Sequence, residues 1–517
     1  SGVPTVLLRY PKTFRETVTH CFRDGNIYPP HTGRSIPYHG GCTPECWGGE
    51  RPCVQARGKP ELLFDVAAVL TTSVAGVTEA FVVQQYSYSV VASQPVPDQL
   101  DLSGPMVITI QEAPPTPYVG PEPGASADLK GTRLLQQLSL LSVTDIAAFL
   151  ASNPGTVESL LANPPAAQDV SVWWTAMDLQ HRGAVMSASP QLVGNLEGVP
   201  YLTRDLANRE YLADTIQHLN AVIVDDATGR TVAENAKRQL TMLESIEAAL
   251  GTNLSQPRRT LLSLDVDGQG RAAIVLGDLR TADYVSYLVP GMFFTIENQM
   301  GDWADAAARL YEEQLSWLEL FGEPESTVAT VAWIGYYTPN LTNVGGIGNA
   351  ADGSVWLAES IEGLQSVRSS TEPYLTVVAH SYGSTAALLA LAENDFEIDA
   401  LAMVGSPGSP AKSVDDLHVR GGNVWVGEAA WDPIPNSAYF GSDPGSASYG
   451  AHPLGVGGGV DAITREVLLA STGHNEYFSA GTESMRNFAL IGINKGQFVT
   501  DGSAADATKT PAALGNQ

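Results

Sequence analysis

The chain has 517 residues, of which 44% are hydrophobic and 16% are charged. This is the composition of a globular protein with room for about three domains. The 56 acidic residues outnumber the 28 lysines and arginines and give a formal net charge of −28. A field of this sign repels phosphate backbones and anionic membrane surfaces, so nucleic acid is excluded as an expected partner.

No stretch of the sequence predicts a membrane-spanning helix. The most apolar stretch, residues 62–83, is interrupted by Asp65 and Glu79. The chain opens at Ser1 without a Met and without a hydrophobic signal region. We therefore expect a processed chain that no longer carries its targeting signal.

The first 60 residues are predicted to form a loop-rich arm that contains all the cysteines, at positions Cys21, Cys42, Cys46 and Cys53. Three histidines lie among them, so a zinc site is an alternative, but paired C-x2-C knuckles are absent. Two disulfides are favoured instead, which implies an oxidising compartment. The arm therefore predicts a secreted or cell-envelope-associated protein.

Two further regions precede the first long helical pattern. Residues 61–112 carry β-branched and aromatic residues without helical spacing and predict a small β-rich accessory region. Residues 113–128 are rich in proline and predict an extended linker. At the other end of the chain, residues 501–517 are expected to form a flexible tail.

Residues 129–260 have the periodicity of amphipathic helices. Two apolar stripes recur at helical spacing, one formed by Leu212, Ile216 and Leu219 and the other by Leu240, Leu243 and Leu250. Stripes of this kind usually face a core. We predict a helical layer here and not a membrane or cofactor surface.

Residues 261–500 alternate predicted strands, among them 328–334, with predicted helices, among them one around 303–320. This alternation indicates a mostly parallel, doubly wound α/β sheet. The expected hairpin of 261–264 with 272–276 encloses Asp265 and Asp267, whose spacing hints at a calcium loop. Gln269 and Leu276 stand where that loop needs further ligands, however, so we predict a plain hairpin and no metal site.

Residues 375–391 contain the pattern that indicates the chemistry. A buried-type strand, 375–379, leads into a compact Ala/Leu helix, 384–391, and Ser381 lies between them, flanked by Ala379 and Gly383. Small residues two positions either side of a serine between a strand and a helix are typical of a nucleophile elbow. The sequence therefore predicts Ser381 as a nucleophile.

The partners of such a serine follow it in the order acid, then histidine. Asp432 comes a few residues after a predicted strand, 424–427, and His474 lies in a late polar turn. Asp443 and Asp461 are the other acids considered, and we expect a turn role for Asp443 and an N-cap or start-of-strand role for Asp461. We predict a Ser381–Asp432–His474 triad.

The oxyanion of an acyl-transfer reaction needs two backbone donors. In this arrangement one N–H comes from the turn after the strand 285–289 and the other from the residue after the nucleophile. We assign these donors to Met292 and Tyr382. Ser381 would attack an acyl carbonyl while His474 moves the proton, and no cofactor is needed.

Several motifs together resemble an actinobacterial α/β-hydrolase family long catalogued as a domain of unknown function. The similarity covers roughly residues 170–495 and rests on Trp173-Trp174, segments 190–200 and 204–209, the stretches 289–292 and 333–336, the elbow 379–383, and Gly473-His474. The resemblance implies an α/β-hydrolase fold preceded by helices and a serine nucleophile at Ser381. It implies no particular substrate.

The favoured function is hydrolysis of carboxylic esters, either small-molecule or lipid, by an esterase or lipase-like enzyme. An amidase, peptidase or acyltransferase would use the same triad, and a non-catalytic binding module is the alternative outside enzymes. Dehalogenase and epoxide-hydrolase chemistry is disfavoured because it needs an Asp where Ser381 stands. The sequence leaves the oligomeric state open.

Overall fold

A computed structural model describes residues 131–502 apart from 154, 253–255 and 436, together with the backbone of two short antiparallel strands, β1 (Phe22–Arg23) and β2 (Asn26–Ile27). The chain divides into two units, residues 1–112 and 113–517. The predicted disulfides of the cysteine arm, the β-rich accessory region, the proline-rich linker and the tail beyond residue 502 lie outside the described side chains.

In the part of the chain that the structure describes, eight helices precede the main sheet. They are α1 (Thr132–Leu140), α2 (Val143–Ser152), α3 (Thr156–Ala162), α4 (Ala167–Ala176), α5 (Leu179–Ala188), α6 (Pro190–Asn195), α7 (Tyr201–Val224) and α8 (Arg230–Leu250). Helices α1 to α6 enclose a small core of their own. Helices α7 and α8 pack on the sheet through Leu212, Leu219, Leu243 and Leu250, which confirms the two predicted stripes.

The main sheet has eight strands in the order β10-β9-β8-β7-β5-β6-β4-β3. Strand β4 is antiparallel to both of its neighbours, and all other adjacent pairs are parallel. The strands are β3 (Arg259–Asp265), β4 (Arg271–Gly277), β5 (Tyr284–Val289), β6 (Val328–Ile334), β7 (Tyr374–His380), β8 (Ala400–Val404), β9 (Val424–Gly427) and β10 (His452–Pro453). The predicted hairpin is the β3–β4 pair. The predicted α/β fold class is confirmed.

Helices cover both faces of this sheet, which is why its central strands are buried and mostly apolar. One face carries α7, α8, α9 (Ile296–Leu320) and α12 (Glu483–Gly492), and the other carries α10 (Gly348–Val367) and α11 (Tyr382–Glu393). All seven residues of β6 are buried. Within that strand Val331 faces α10 and α11, while Ala332 faces the opposite layer.

Two local expectations differ from the structure. Helix α9 begins at Ile296, well before the predicted residue 303, because the Gln299 side chain accepts a hydrogen bond from the Thr295 N–H at 2.8 Å and closes the first turn. Residues 462–469 form no long strand or helix. Instead, β11 (Gly459–Val460) and β12 (Val467–Leu468) make a small hairpin.

Among the described helices, none is both long enough and apolar enough to cross a bilayer.

Candidate active site

Ser381 lies in the turn between β7 and α11, at the carboxyl edge of the parallel strands. Its backbone has φ 52° and ψ −130°, a region that a residue with a side chain adopts only under strain. The turn is held in place by the Ser381 N–H, which donates to the Val404 carbonyl of β8 at 2.9 Å. This strained strand-to-helix turn has the geometry of a nucleophile elbow.

Two glycines allow the backbone to close around Ser381. A Cβ added to Gly383 would lie 2.2 Å from the Pro290 carbonyl oxygen, because α11 begins against the end of β5. A Cβ added to Gly291 would lie 2.7 Å from the Cβ of Ser381. The small residue that the motif requires at position 383 is therefore explained by the close approach of α11 to the loop after β5.

His474 stands between the serine and an acid. Its Nε2 is 2.7 Å from Ser381 Oγ, and its Nδ1 is 2.8 Å from Asp432 Oδ2. The His474 side chain is 20% exposed, while that of Asp432 is completely buried. With Nδ1–H donating to the carboxylate, Nε2 is left to accept from the serine hydroxyl. The structure thus brings the three predicted residues together.

Asp432 is held as a carboxylate by several donors. The Tyr477 hydroxyl donates to its Oδ2 at 2.7 Å, and the Ile434 N–H donates to its Oδ1 at 3.0 Å. Burial acts to raise the pKa of Asp432, but the hydrogen bonds from His474, Ile434 and Tyr477 outweigh it and lower that pKa below its usual value. Asp432 is therefore ionised at neutral pH.

Tyr477 and Gly405 complete the surroundings of the acid. The Tyr477 hydroxyl accepts from the Ala429 N–H at 2.9 Å while it donates to Asp432. Gly405, directly after β8, has φ +61°, and a Cβ there would lie 2.8 Å from Asp432 Oδ2 and 3.0 Å from His474 Cε1. A larger residue at 405 would displace the Asp432–His474 pair.

The two other acids considered are not at this site. Asp443 Oδ1 accepts from the Gly445 N–H at 3.0 Å, which is the turn role predicted for it. Asp461 lies in the turn between β11 and β12, and its Oδ1 accepts from the Ile463 and Thr464 N–H groups at 2.7 Å. This is the capping interaction predicted for it, although it begins a turn and not a helix or strand. Its Oδ2 also accepts from Arg486 Nε at 2.7 Å in a buried ion pair, which was not predicted.

The predicted oxyanion donors lie on two segments that meet at Ser381. Tyr382 is the first residue of α11, and Met292 follows Gly291 in the loop after β5. That loop is fixed by the Phe293 N–H, which donates to the Pro339 carbonyl at 3.0 Å. Neither the Met292 N–H nor the Tyr382 N–H donates to any part of the chain that the structure describes. Their assignment as oxyanion donors stays a prediction.

His380, directly before the nucleophile, contacts the histidine of the site. Its side chain is buried, its ring centroid is 4.7 Å from that of His474, and its Nε2–H donates to the His474 carbonyl at 2.7 Å. Its Nδ1 is buried without a partner among the described residues. Burial, and after it the nearby His474 imidazole, lowers the pKa of His380 to about 3, so this ring is neutral at physiological pH.

Sequence reasoning missed the roles of His380, Tyr477 and Gly405. His380 lies inside the elbow motif, and Tyr477 lies three residues after His474. Their partners, however, are 94 and 45 residues away in the chain. No local pattern indicates those contacts.

A cavity of about 410 Å³ lies elsewhere, between the helices before the sheet and the sheet itself. Its lining includes Glu197, Arg271, Trp333, Trp356 and Glu359, and none of the three triad residues. The cavity is therefore distinct from the site at Ser381. No cluster of three or more His, Cys, Asp or Glu suited to a metal occurs among the residues that the structure describes.

Comparison with known proteins gives a family for the central part of the chain. Residues 265–442 match the family described as Alpha/beta hydrolase, a stretch that contains Ser381 and Asp432. The uncharacterized protein Rv2079 of Mycobacterium tuberculosis is 28% identical over 401 residues, which are 68% of this chain and 60% of that protein. The chain thus spans about 60% of the length of this curated relative.

A shorter relative covers less of this chain. The uncharacterized protein Mb0988c of Mycobacterium bovis is 28% identical over 211 residues, which are 39% of this chain and 79% of that protein. Among solved structures, an esterase from Pyrobaculum calidifontis matches 55% of this chain and 98% of its own, at 13% identity and a TM-score of 0.30. A score of this size is too low to bear on function.

The residues that carry the resemblance seen in the sequence lie mainly on the sheet, its connecting loops and the helices α4, α6 and α7. The family match and the mycobacterial relatives agree with that resemblance. Over residues 265–442 this chain is thus similar to the α/β-hydrolase family, and its mycobacterial relatives are themselves uncharacterized.

Proposed function

We propose that this protein is a serine hydrolase that cleaves carboxylic esters through Ser381, His474 and Asp432. The observation that carries the proposal is the continuous hydrogen-bonded path from Ser381 Oγ through both His474 ring nitrogens to a buried carboxylate. This path starts at a serine in a strained elbow turn. Such an arrangement activates a hydroxyl that is otherwise a weak nucleophile.

The reaction would proceed in two halves. Ser381 Oγ attacks the ester carbonyl as its proton passes to His474 Nε2, and the Asp432 carboxylate stabilises the resulting imidazolium. The oxyanion would be held by the Met292 and Tyr382 N–H groups, with support from the amino end of the α11 dipole. The imidazolium then protonates the departing alcohol, and a water molecule, activated by His474, releases the acid from Ser381.

Labelling with a fluorophosphonate probe tests the nucleophile directly. We expect stoichiometric labelling of the wild type at Ser381, and loss of both labelling and p-nitrophenyl butyrate hydrolysis, by several orders of magnitude, in Ser381→Ala. Ser437→Ala is the matched control, because Ser437 is an exposed serine a few residues from Asp432 that contacts no member of the triad. It should label and turn over like the wild type.

A second substrate distinguishes ester hydrolysis from amide hydrolysis. Hydrolysis of the corresponding p-nitroanilide at a rate equal to or above that of the ester would assign the enzyme to amide bonds. If folded Ser381→Ala hydrolysed the ester at the wild-type rate, Ser381 would not be the nucleophile.

A further inference from the structure

The loops around Ser381 expose large apolar side chains. Phe293 follows β5 and is 45% exposed, Leu341 follows β6 and is 77% exposed, and Trp431 and Tyr439 follow β9 and are 83% and 62% exposed. We call these four residues the apolar rim. Single exposed apolar residues are common, but a group of them around one site marks an interaction surface.

Contacts place the members of the rim together at the mouth of the site. The loop of Phe293 is hydrogen-bonded to Pro339, two residues before Leu341. The Tyr439 hydroxyl lies 3.0 Å from the position of a Cβ on Gly345, in the same loop as Leu341.

Tyr439 and Trp431 lie close to the elbow and the triad. Phe440, which packs edge-on against Tyr439, also packs edge-on against Tyr382 with ring centroids 5.5 Å apart. Trp431 directly precedes the triad acid Asp432. All of these loops follow carboxyl ends of parallel strands, so they share the edge of the sheet that carries Ser381.

The loops after β5, β6 and β9 carry little charge. Residues 290–295, 335–347 and 428–451 together hold 43 residues, and three of them, Glu428, Asp432 and Asp443, are charged. At the chain average of 16% charged residues, about seven would be expected there. The Asp432 side chain is completely buried, and Glu428 and Asp443 are half-buried. These three loops therefore present few charges to solvent.

The nucleophile lies beneath this surface, since Ser381 is only 3% exposed. A substrate that approaches between the loops after β5, β6 and β9 therefore passes the apolar rim. A charged or strongly hydrated molecule loses hydration free energy against such apolar side chains, whereas an apolar chain is stabilised there by leaving water. Trp431 and Tyr439 are, in addition, residue types that settle at lipid–water boundaries.

We propose that the apolar rim seats the protein on neutral lipid, so that its natural substrates are water-insoluble esters taken from a lipid–water interface. This inference rests on the proposed ester hydrolysis at Ser381 and names the substrate class of that site. The interface is neutral and not anionic, because a protein with a net charge of −28 is repelled by anionic surfaces.

Two measurements test the proposal, one with turnover and one without. The first is the ratio of the rate on emulsified tributyrin to the rate on soluble p-nitrophenyl acetate. The second is flotation of the inactive Ser381→Ala protein with a triolein emulsion. We expect the doubly substituted Leu341→Ser, Trp431→Ser protein to lower the ratio at least fivefold, and the same two changes in the Ser381→Ala background to reduce flotation to a comparable extent.

Leu320→Ser is the matched control. Leu320 is 50% exposed and ends α9, a helix that runs back from the carboxyl end of β5 towards the amino end of β6. It therefore lies at the opposite edge of the sheet from the apolar rim. We expect this variant to keep both the wild-type ratio and the wild-type flotation.

The outcomes separate this inference from the function on which it rests. Suppose that the wild type is labelled at Ser381 and cleaves p-nitrophenyl acetate, but the rim variant keeps the wild-type ratio and flotation. The interface inference is then wrong, and the proposed ester hydrolysis is unaffected. If the rim substitutions instead abolish a dimer seen by light scattering and leave the ratio unchanged, the rim joins two copies of the chain. Absence of both labelling and ester turnover in the wild type overturns the proposed function itself.

Discussion

The Asp432 carboxylate fixes which nitrogen of His474 faces the nucleophile. In Asp432→Asn the side-chain amide can turn its NH₂ group towards Nδ1, which favours the tautomer with its proton on Nε2 and removes the base from Ser381. We expect kcat to fall by about ten-thousand-fold, the scale of the same substitution in a serine-protease triad. Steady-state hydrolysis of p-nitrophenyl butyrate measures this.

Asp443→Asn and Asp461→Asn are the controls for that loss. Asp443 bonds only within its own turn, so we expect kcat to change by tenfold or less, about 1.4 kcal/mol. Asp461→Asn leaves the Arg486 charge buried without its partner and should lower the free energy of unfolding by about 3–5 kcal/mol. If Asp443→Asn lost most of its kcat while Asp432→Asn kept nearly all of it, Asp432 would not be the triad acid.

His380 is predicted to act as a positioning residue. Its Nε2–H holds the carbonyl of His474, so His380→Leu leaves that buried carbonyl unpaired and frees the loop that carries the base. We expect kcat to fall about tenfold or more with KM little changed, while His380→Gln, which can still donate, recovers part of the loss. Equal loss in both variants, or a loss confined to KM, would contradict this role.

At the residue scale, the sequence predicts those site residues whose identity depends on their neighbours in the chain. Ser381 follows from the small residues that its turn demands, and Asp432 and His474 follow from chain order and from the end of a strand. The Asp461–Arg486 pair and the His380–His474 contact could not be predicted in this way. Both depend on which distant loops meet, which the packing of the sheet decides.

At the scale of the elements, the elbow depends on the distance between α11 and the end of β5. In Gly383→Ala the new methyl group would meet the Pro290 carbonyl at 2.2 Å, and backbone on both sides leaves it no room. Helix α11 would have to move away from β5 and carry Ser381 away from Met292. We therefore expect a lower melting temperature and a fall in kcat of more than a hundredfold, measured by calorimetry and ester hydrolysis.

Gly301→Ala is the matched control for that substitution. Gly301 lies inside α9, and an added Cβ there meets nothing within 4 Å. Alanine is the better helix former, so this change should raise the free energy of unfolding by about 0.5–1 kcal/mol and leave kcat unaltered. If both glycine variants behaved alike, the close approach of α11 to β5 would not be what requires Gly383.

The strands of the main sheet were predictable because burial on both faces imposes a continuous apolar run. Strands β6 and β9 have the predicted bounds, and β7 extends the predicted strand by one residue at each end. The start of α9 and the β11–β12 hairpin were not predictable, since each depends on a few side-chain hydrogen bonds and not on periodicity. Such local bonds leave no repeating pattern in the sequence.

At the scale of the whole molecule, a half-buried acid lies where the helices before the sheet meet the sheet. Glu359 of α10 lines the 410 Å³ cavity together with Glu197 and Arg271. Burial, and next the Glu197 charge, raises the pKa of Glu359 to about 7, although Arg271 acts in the opposite direction. Arg271 itself lies over the Trp356 ring, 3.7 Å from its centroid.

This raised pKa makes the stability of the fold depend on pH. A carboxyl whose pKa is higher in the folded protein than in the unfolded chain favours folding below its unfolded value, about 4.3, and loses that contribution as pH rises through about 7. In Glu359→Gln this dependence is removed. The variant should match the wild type near pH 4.5 and exceed its free energy of unfolding by about 2–3 kcal/mol at pH 8.

Urea unfolding of the full chain at pH 4.5, 6 and 8 measures this difference directly. Glu393→Gln, at an exposed position near the end of α11, is the control and should follow the wild type at every pH. A gain that is the same at all three pH values would mean that the amide improves packing in the cavity and that ionisation is not the cause. No gain at pH 8 would mean that Glu359 is well solvated when charged, so that the junction between the helices and the sheet admits more water than its burial indicates.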